Sequence, residues 1–397
     1  MSQVKMSSGR MEPFVGAFEA QLLETGYTSG TVKNVLTDVN RLGRWMAERD
    51  IEAFELNAVI VEEFRRSLRS NGASRIPGAR AMRPLLEYLG SQGYLGEDSS
   101  PMTPLDELIG DYRTWLVHDR QLAPPTVLRY ERLARRFLSE HAIQDVGVTE
   151  GLSGADVTAF LLRETERVSV GSAKGRVAEL RSLLRYLHLK ALTPTWLGAA
   201  VPPVAGWKDT TVPKGVSAPD VERILASCDR LDPGGCRDFA MLSLVARLGL
   251  RSIEVARLEL DDIDWRGDEI VVRGKARRRD RLPLPWEVGE ALSAYLQIRR
   301  SVNVRRVFLA LKAPVRAIRP DLVSDVTRRA CRHAGLPEVG AHRLRHALAT
   351  EMLRRGAKLA EVSQVLRHRD LATTAIYAKV DVTRLRQVAQ PWPGGQK

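Results

Sequence analysis

His342-Arg-Leu-Arg-His-Ala-Leu-Ala-Thr350 (HRLRHALAT) and Leu366-Arg-His-Arg-Asp-Leu-Ala-Thr-Thr-Ala-Ile-Tyr377 (LRHRDLATTAIY) bring three histidines, several arginines and one tyrosine into 36 residues. His342 and Arg345 are three apart and share one helical face. Upstream, Gly249-Leu-Arg-Ser-Ile-Glu-Val255 sets Arg251 at the start of a helix, with Ile253, Val255 and Leu258 expected to be buried and Glu254 in reach as an ion-pair partner. Between these stretches, Glu269-Ile-Val-Val and Arg281-Leu-Pro-Leu flank a Gly-Lys-Ala-Arg-Arg-Arg-Asp tip, a β-hairpin pattern that carries Lys275 at its turn. Singly, each residue has an ordinary explanation: a surface ion pair, a solvated lysine, a capping histidine, a core tyrosine. Their joint order and spacing do not.

The set of Arg251, Lys275, His342, Arg345, His368 and Tyr377 resembles the tyrosine recombinase (phage integrase) family, carried by GLRSIEV, GKARRRDRLPL, HRLRHALAT and LRHRDLATTAIY. The resemblance spans the last domain. More weakly it extends to residues 104–200, ending RSLLRYLHLKAL, which look like that family's helical core-binding domain. It implies that Tyr377 is the nucleophile, that Arg251 and Arg345 clamp the phosphate, and that Lys275 protonates the departing 5′-oxygen. His342 would then assist proton transfer at Tyr377, His368 would donate a hydrogen bond to the phosphate, and Glu254 would buttress Arg251.

The chemistry agrees. Cutting and rejoining DNA without losing bond energy needs a protein nucleophile that stores the phosphodiester as an ester. Negative charge gathers on the non-bridging oxygens, and a guanidinium fork matches two of them at once. No metal or nucleotide cofactor is implied. Cys331, His333, His342 and His346 could be read as a metal set, because His342 and His346 lie one turn apart; the lack of a CxxC and the turn at Gly335 and Pro337 argue against it. Three departures from the family pattern stand out. Arg367 sits where the family commonly has glycine, Arg343 follows the first histidine where an acid is frequent, and the hairpin tip is unusually basic. If Arg367 were left-handed, the cost would be about 1 kcal/mol.

Lys and Arg outnumber Asp and Glu by 61 to 48 in 397 residues, a formal charge of +13 with an isoelectric point near 9.9. That surplus favours a polyanionic partner, double-stranded DNA foremost. Candidate DNA contacts are Arg273, Arg277, Arg278, Arg279 and Arg343 in the last domain, and Arg129, Arg132, Arg136, Lys33 and Arg41 upstream. The longest apolar run, Phe239 to Leu250, is too short to span a bilayer and contains Arg247. The polar start has no signal-peptide core, and three cysteines (Cys228, Cys236, Cys331) suggest no disulfide framework, so a cytoplasmic protein is expected.

Organisation follows from a repeat. GYTSGTV (Gly26–Val32) resembles QLAPPTV (Gln121–Val127), and RPLLEYL (Arg83–Leu89) matches RSLLRYL (Arg181–Leu187) in the same order and at similar separation. A duplicated helical domain is expected: a flexible start over 1–11, an additional DNA-binding domain over 12–98, a core-binding domain over 104–203, a linker over 204–214 and the catalytic domain with its tail over 215–397. Phe14, Phe18, Leu22 and Leu23 share one helix face; Val32, Val35, Leu36, Val39 and Leu42 share another, capped near Thr28 and Ser29. Ser217 reads as an N-cap, with Pro219 and Asp220 in the first turn.

The expected fold is mainly α with a small β-hairpin or sheet: two helical SAM-like N-terminal domains and a catalytic domain forming a clamp on DNA. The resemblance implies a homo-tetramer on synapsed sites, 3′-phosphotyrosyl intermediates and a Holliday junction, in the service of integration, excision or transposition of a mobile element, with accessory or sister recombinase proteins as further partners. A tail with Val382, Leu385 and Val388 at helical spacing would dock on a neighbouring protomer or on its own domain. Strand relaxation by a type IB topoisomerase-like enzyme and a catalytically silent DNA-binding paralogue are the alternatives.

Overall fold

The computed structural model describes residues 9–78, 81–95, 103–141, 151–166, 168–204, 216–274 and 279–367. Among them are fifteen α-helices and one three-stranded antiparallel sheet. They fall into two compact units, one drawn from Met1–Leu95 and Asp209–Lys397, the other from Gly96–Lys208. No helix of the described residues is long and apolar enough to cross a membrane.

The larger unit begins with α1 (Glu12–Glu24), α2 (Ser29–Ala47), α3 (Ala58–Ser70) and α4 (Arg83–Ser91). Thr28 caps α2 as expected, its hydroxyl accepting from the Thr31 amide. Phe18, Leu22, Val32, Val39 and Leu42 enter a core with Phe64, Leu85 and Leu89. Leu23 does not join them and is 49% exposed; a 100° rotation from Leu22 takes it off the narrow stripe of α1, on which only Phe18 and Leu22 are buried. Gly26, between α1 and α2, meets the last part of the same unit. Its carbonyl accepts from Arg300 Nη1 at 3.1 Å, and Thr25 O accepts from the Val315 amide at 2.7 Å. At φ +83° a Cβ on Gly26 would lie 2.7 Å from Val315 Cγ2, so glycine alone fits. The stretch read as 12–98 thus keeps its own core while sharing a compact unit with the last part of the chain.

The smaller unit holds α5 (Pro104–His118), α6 (Pro124–Glu140), α7 (Gly154–Thr165) and α8 (Val170–Leu189). Capping boxes at Thr103/Asp106 and Ser153/Asp156 start α5 and α7. The matching positions of the two repeated stretches are buried alike: Leu85, Tyr88 and Leu89 in one, Leu183, Tyr186 and Leu187 in the other. The buried Glu179 accepts from Arg129 Nε at 2.6 Å and Arg176 Nη1 at 2.9 Å, so its charge is compensated inside the unit.

The larger unit resumes with α9 (Ala218–Ala226), capped by Ser217 as expected, and α10 (Pro233–Leu248). Asp232 starts α10 by accepting from the amides of Gly234 and Gly235 at 2.8 and 3.0 Å. Ala240, Met241, Leu242, Leu244 and Val245 of α10 are fully buried, which makes this helix the spine of the core. Around it lie α11 (Ser252–Arg257), a sheet of β1 (Ile263–Asp264), β2 (Glu269–Arg273) and β3 (Arg279–Pro283), then α12 (Trp286–Ile298), α13 (Pro320–His333), α14 (Ala341–Arg354) and α15 (Leu359–Val365). The expected hairpin is β2 against β3, with Ile270 opposite Leu282 and Arg273 opposite Arg279; Ile270 and Val272 alternate inward. Two-residue β1 pairs with β2 and is too short to leave a period in the sequence. Of the α11 residues expected inside, Val255 and neighbouring Leu258 are buried, whereas Ile253 is 38% exposed.

Candidate active site

Three chain segments meet where α10 ends, and glycine decides the first. Gly249 closes α10 in the left-handed conformation at φ +61°, and a Cβ there would lie 2.8 Å from Leu366 Cδ2 and 3.1 Å from Leu348 Cδ2. Gly249→Ala is therefore expected to cost about 2–3 kcal/mol, from left-handed strain and overpacking together. Gly16→Ala, in open space within α1, should be neutral or stabilising. Denaturant titration of both variants checks the pair; an unperturbed Gly249→Ala would show that Leu366 moves freely.

The end of α10 holds Arg345. This side chain of α14 is 1% exposed, and its Nη1 and Nη2 donate to the carbonyls of Gly249 and Leu366. Gly249 caps α10 and Leu366 caps α15, so the guanidinium rests on the negative ends of two helices. Sequence reasoning paired Arg345 with His342 on one face but not with two helix ends 96 and 21 residues away.

Arg251 is the N-cap of α11. Glu254 accepts from its amide at 2.8 Å and from its Nη1 at 2.7 Å, while Arg251 Nη2 donates to the Arg367 carbonyl at 3.2 Å. The Arg251 side chain stays 38% accessible and that of Glu254 3%, so this arginine faces outward on a buried carboxylate. Burial pushes the Glu254 carboxyl up, but the Arg367 charge and the bonds from Arg251 outweigh it and hold it below the usual range. The buttress expected of Glu254 is thus in place geometrically.

His342 occupies the first turn of α14, its ring 4.2 Å from that of His346 in an edge-on arrangement. Partial burial, followed by the charges of Arg345, Arg251 and Arg343, lowers its pKa below the usual 6.5. The folded state therefore binds this proton less readily than the unfolded one, so stability rises with pH through the window up to 6.5. Single-turnover DNA cleavage should keep its rate below pH 6.5 and fall only as the lowered value is crossed. His342→Gln should remove that acid limb; an unchanged limb in the variant would assign it to another group.

A cavity of about 340 Å³ lies beside this cluster, lined by Arg279, Asp280, Arg281 and Leu282 of β3 and by Ser363, Gln364 and Arg367 near the end of α15. Other basic candidates face carboxylates. Arg273 binds Asp262 at 2.9 Å and Glu259 at 2.5 Å, Arg129 pairs with Glu179, and Arg136 pairs with Glu164 at 2.7 Å. Arg41 donates to the Arg75 carbonyl at 3.0 Å near Asp38. Arg132 and Lys33 are exposed, and Arg343 is half-buried. Lys275, Arg277, Arg278, His368, Tyr377 and the tail with Val382, Leu385 and Val388 lie outside the described residues, as does most of the expected linker over 204–214. Cys331 is fully buried in the core around α10.

Comparison with known proteins matches residues 215–384 to the phage integrase family. The integrase/recombinase y4rA of Sinorhizobium fredii is 38% identical over 395 residues, which cover 97% of this chain and 95% of that protein. The tyrosine recombinase XerD of Listeria monocytogenes is 30% identical over 295 residues, 72% of this chain and 97% of its own. A crystal structure of a lambda integrase dimer bound to a COC′ core site shares the fold, with a TM-score of 0.55 at 15% identity, over 85% of this chain and 89% of that one.

Proposed function

Since the chain belongs to the phage integrase family of tyrosine recombinases, we propose that it recombines DNA at specific sites through a 3′-phosphotyrosyl intermediate on Tyr377. The observation that carries this reading is the convergence of Arg251, Glu254, His342 and Arg345 where α10, α11, α14 and α15 meet. Arg251, outward and held by Glu254, receives a non-bridging oxygen of the scissile phosphate. Arg345 is enclosed before DNA arrives and reaches the phosphate by exchanging one carbonyl bond for a phosphate oxygen. The Tyr377 phenol attacks phosphorus and gives up its proton with help from neutral His342. The 5′-oxygen leaves with a proton from Lys275, and His368 donates a hydrogen bond to the phosphate. Reversal by a 5′-hydroxyl from a second duplex rejoins the strand, which conserves the phosphodiester energy.

The relatives support the wider setting. Lambda integrase has been seen as a dimer on a core site and as a tetramer on a Holliday junction, and a Tn1549 transposon integrase fragment has been seen with circular intermediate DNA. On that pattern this chain works in the cytoplasm as a homo-tetramer on two synapsed sites, moving a mobile element with accessory or sister proteins. The domains are those read from the repeat: 12–98 and 104–203 grip DNA, and 215–397 carries the chemistry. Its tail, with Val382, Leu385 and Val388, docks on a neighbouring protomer or on its own domain. The basic groups left available for phosphates are Arg279, Arg343, Arg132 and Lys33, joined by Arg277 and Arg278 of the hairpin tip.

The test incubates the full chain, in EDTA, with nicked suicide duplexes tiled across the DNA flanking its own gene. A protein–DNA adduct that survives denaturation, on one of those duplexes and not the rest, is the expected result. Tight binding with no adduct on any duplex would favour a silent DNA-binding paralogue, and adducts on every duplex would favour topoisomerase-like relaxation.

A further inference from the structure

Arg367 is a buried cation in a backbone conformation that suits glycine. Its φ is +54°, a region an L side chain enters only against steric resistance. Its side chain is 4% exposed, and its Nη2 donates to Glu254 Oε2 at 2.7 Å. Glu254 therefore accepts from two arginines: Oε1 from Arg251 Nη1, and Oε2 from both the Arg251 amide and Arg367 Nη2. The ring closes through the backbone, because the Arg367 carbonyl accepts from Arg251 Nη2 at 3.2 Å. Its neighbour Leu366 supplies one of the two carbonyls under Arg345. One dipeptide thus touches both arginines of the site.

We propose that Arg367 is a positioning residue for catalysis: its Nη2 holds Glu254 Oε2, the oxygen that also accepts from the Arg251 amide, so that the accessible donors of Arg251 stay aimed at the scissile phosphate. The proposal rests on the recombinase reading above. Its physical basis is the isolation of Glu254. A carboxylate 4% exposed keeps its charge and orientation only through its partners. The charged groups bonded to it are Arg251 at the start of its own helix and Arg367 beyond α15, with Arg279, Asp280 and Arg281 of β3 lining the cavity next to Arg367. Remove Arg367 and the carboxylate keeps one bonded cation, is drawn toward its neutral form by burial, and loses one of the two donors at Oε2. Arg251 then keeps its charge but not its aim. Misplacement of a clamp affects the transition state more than the encounter with DNA.

Arg367→Gly is the informative variant, because glycine accepts φ +54° and separates the side chain from the fold. Two readouts are compared in the full-length protein. Infrared titration of Glu254, with Glu254→Gln as the subtracted blank, reports the carboxylate independently of any reaction. Single-turnover adduct formation at varied DNA concentration separates binding from the maximal rate. Arg367→Gly should protonate Glu254 at higher pH than wild type, bind DNA within a few-fold, and cleave at saturation on the order of tenfold to a hundredfold more slowly. Arg367→Lys should recover part of the rate, since an ammonium can still reach Glu254. An unchanged Glu254 titration, or wild-type cleavage at saturating DNA, overturns the proposal, including the case in which only the melting temperature falls. If wild type itself makes no adduct, the recombinase reading fails together with the catalytic part of this inference, while the infrared titration still decides the Arg251–Glu254–Arg367 arrangement.

Discussion

Tyr377→Phe is expected to abolish covalent attachment to DNA, by at least about 10³-fold in single-turnover rate, while DNA binding changes no more than a few-fold. The phenyl ring keeps nearly all of the side chain's apolar surface, so the variant should fold; what it lacks is the oxygen that forms the phosphoester. No water or neighbouring hydroxyl replaces it productively, because hydrolysis would leave the strand cut and would not conserve the bond for rejoining. The check is a denaturing gel with end-labelled suicide DNA, run beside a mobility shift on the same duplex. An undiminished adduct in Tyr377→Phe would move the nucleophile to another tyrosine and remove the motif LATTAIY from the argument.

Arg345→Met is the second large effect, and it acts twice. Methionine fills much of the volume but leaves the Gly249 and Leu366 carbonyls without their buried donor, at a cost of about 2–3 kcal/mol. It also removes a guanidinium from the developing charge, for an expected loss of about 10²–10³ in cleavage rate. Arg345→Lys separates the two. A single ammonium keeps the charge at the two helix ends and recovers part of the stability, yet it cannot span both carbonyls and a phosphate oxygen as a fork does. Denaturant titration and saturating single-turnover cleavage on the three proteins give the comparison. A lysine variant that cleaves at the wild-type rate would show that Arg345 contributes charge alone and not geometry.

The cluster also explains why one arginine looks catalytic at once and the other looks structural. Arg251 is exposed on one side and held on the other, whereas Arg345 is enclosed by carbonyls. An enclosed guanidinium is already desolvated and oriented, so little reorganisation remains when the phosphate arrives. The carbonyls at the ends of α10 and α15 occupy both terminal nitrogens of that guanidinium, each with the negative character of a helix C-terminus. Gly249→Ala, by pushing on Leu366 and Leu348 and meeting Arg345 Cγ at 3.9 Å, should disturb this arrangement without removing any charged group.

Much of this was legible in the chain itself. Residue types fixed by chemistry, such as the paired arginines, the histidines and the tyrosine, stand at separations set by local structure: three residues along one helix, two strands of a hairpin, a cap before a helix. Ser217, Thr28 and the β2–β3 pairing follow from such short-range rules. Where the rules are loose, the sequence misleads, as with Leu23 and Ile253, whose neighbours claimed the buried face. Several basic residues expected to contact DNA also form ion pairs within the chain. Charge is visible in a sequence, but its neutralisation is not, and Arg273, Arg129 and Arg136 each meet a carboxylate from a different element.

What only the tertiary structure decided lies in contacts across long separations. Glu254 meets Arg367 over 113 residues, and Arg345 meets Gly249 over 96. Neither pairing leaves a period or a motif, because each depends on how three helix ends are brought to one point by the packing of α10 against its neighbours. The sequence by itself determined which groups are available for phosphoryl transfer and roughly where along the chain they stand. The fold decided which of those groups is enclosed, which is exposed, and which buried cation holds the carboxylate behind them, since burial and long-range pairing are properties of the packed core and not of any segment within it.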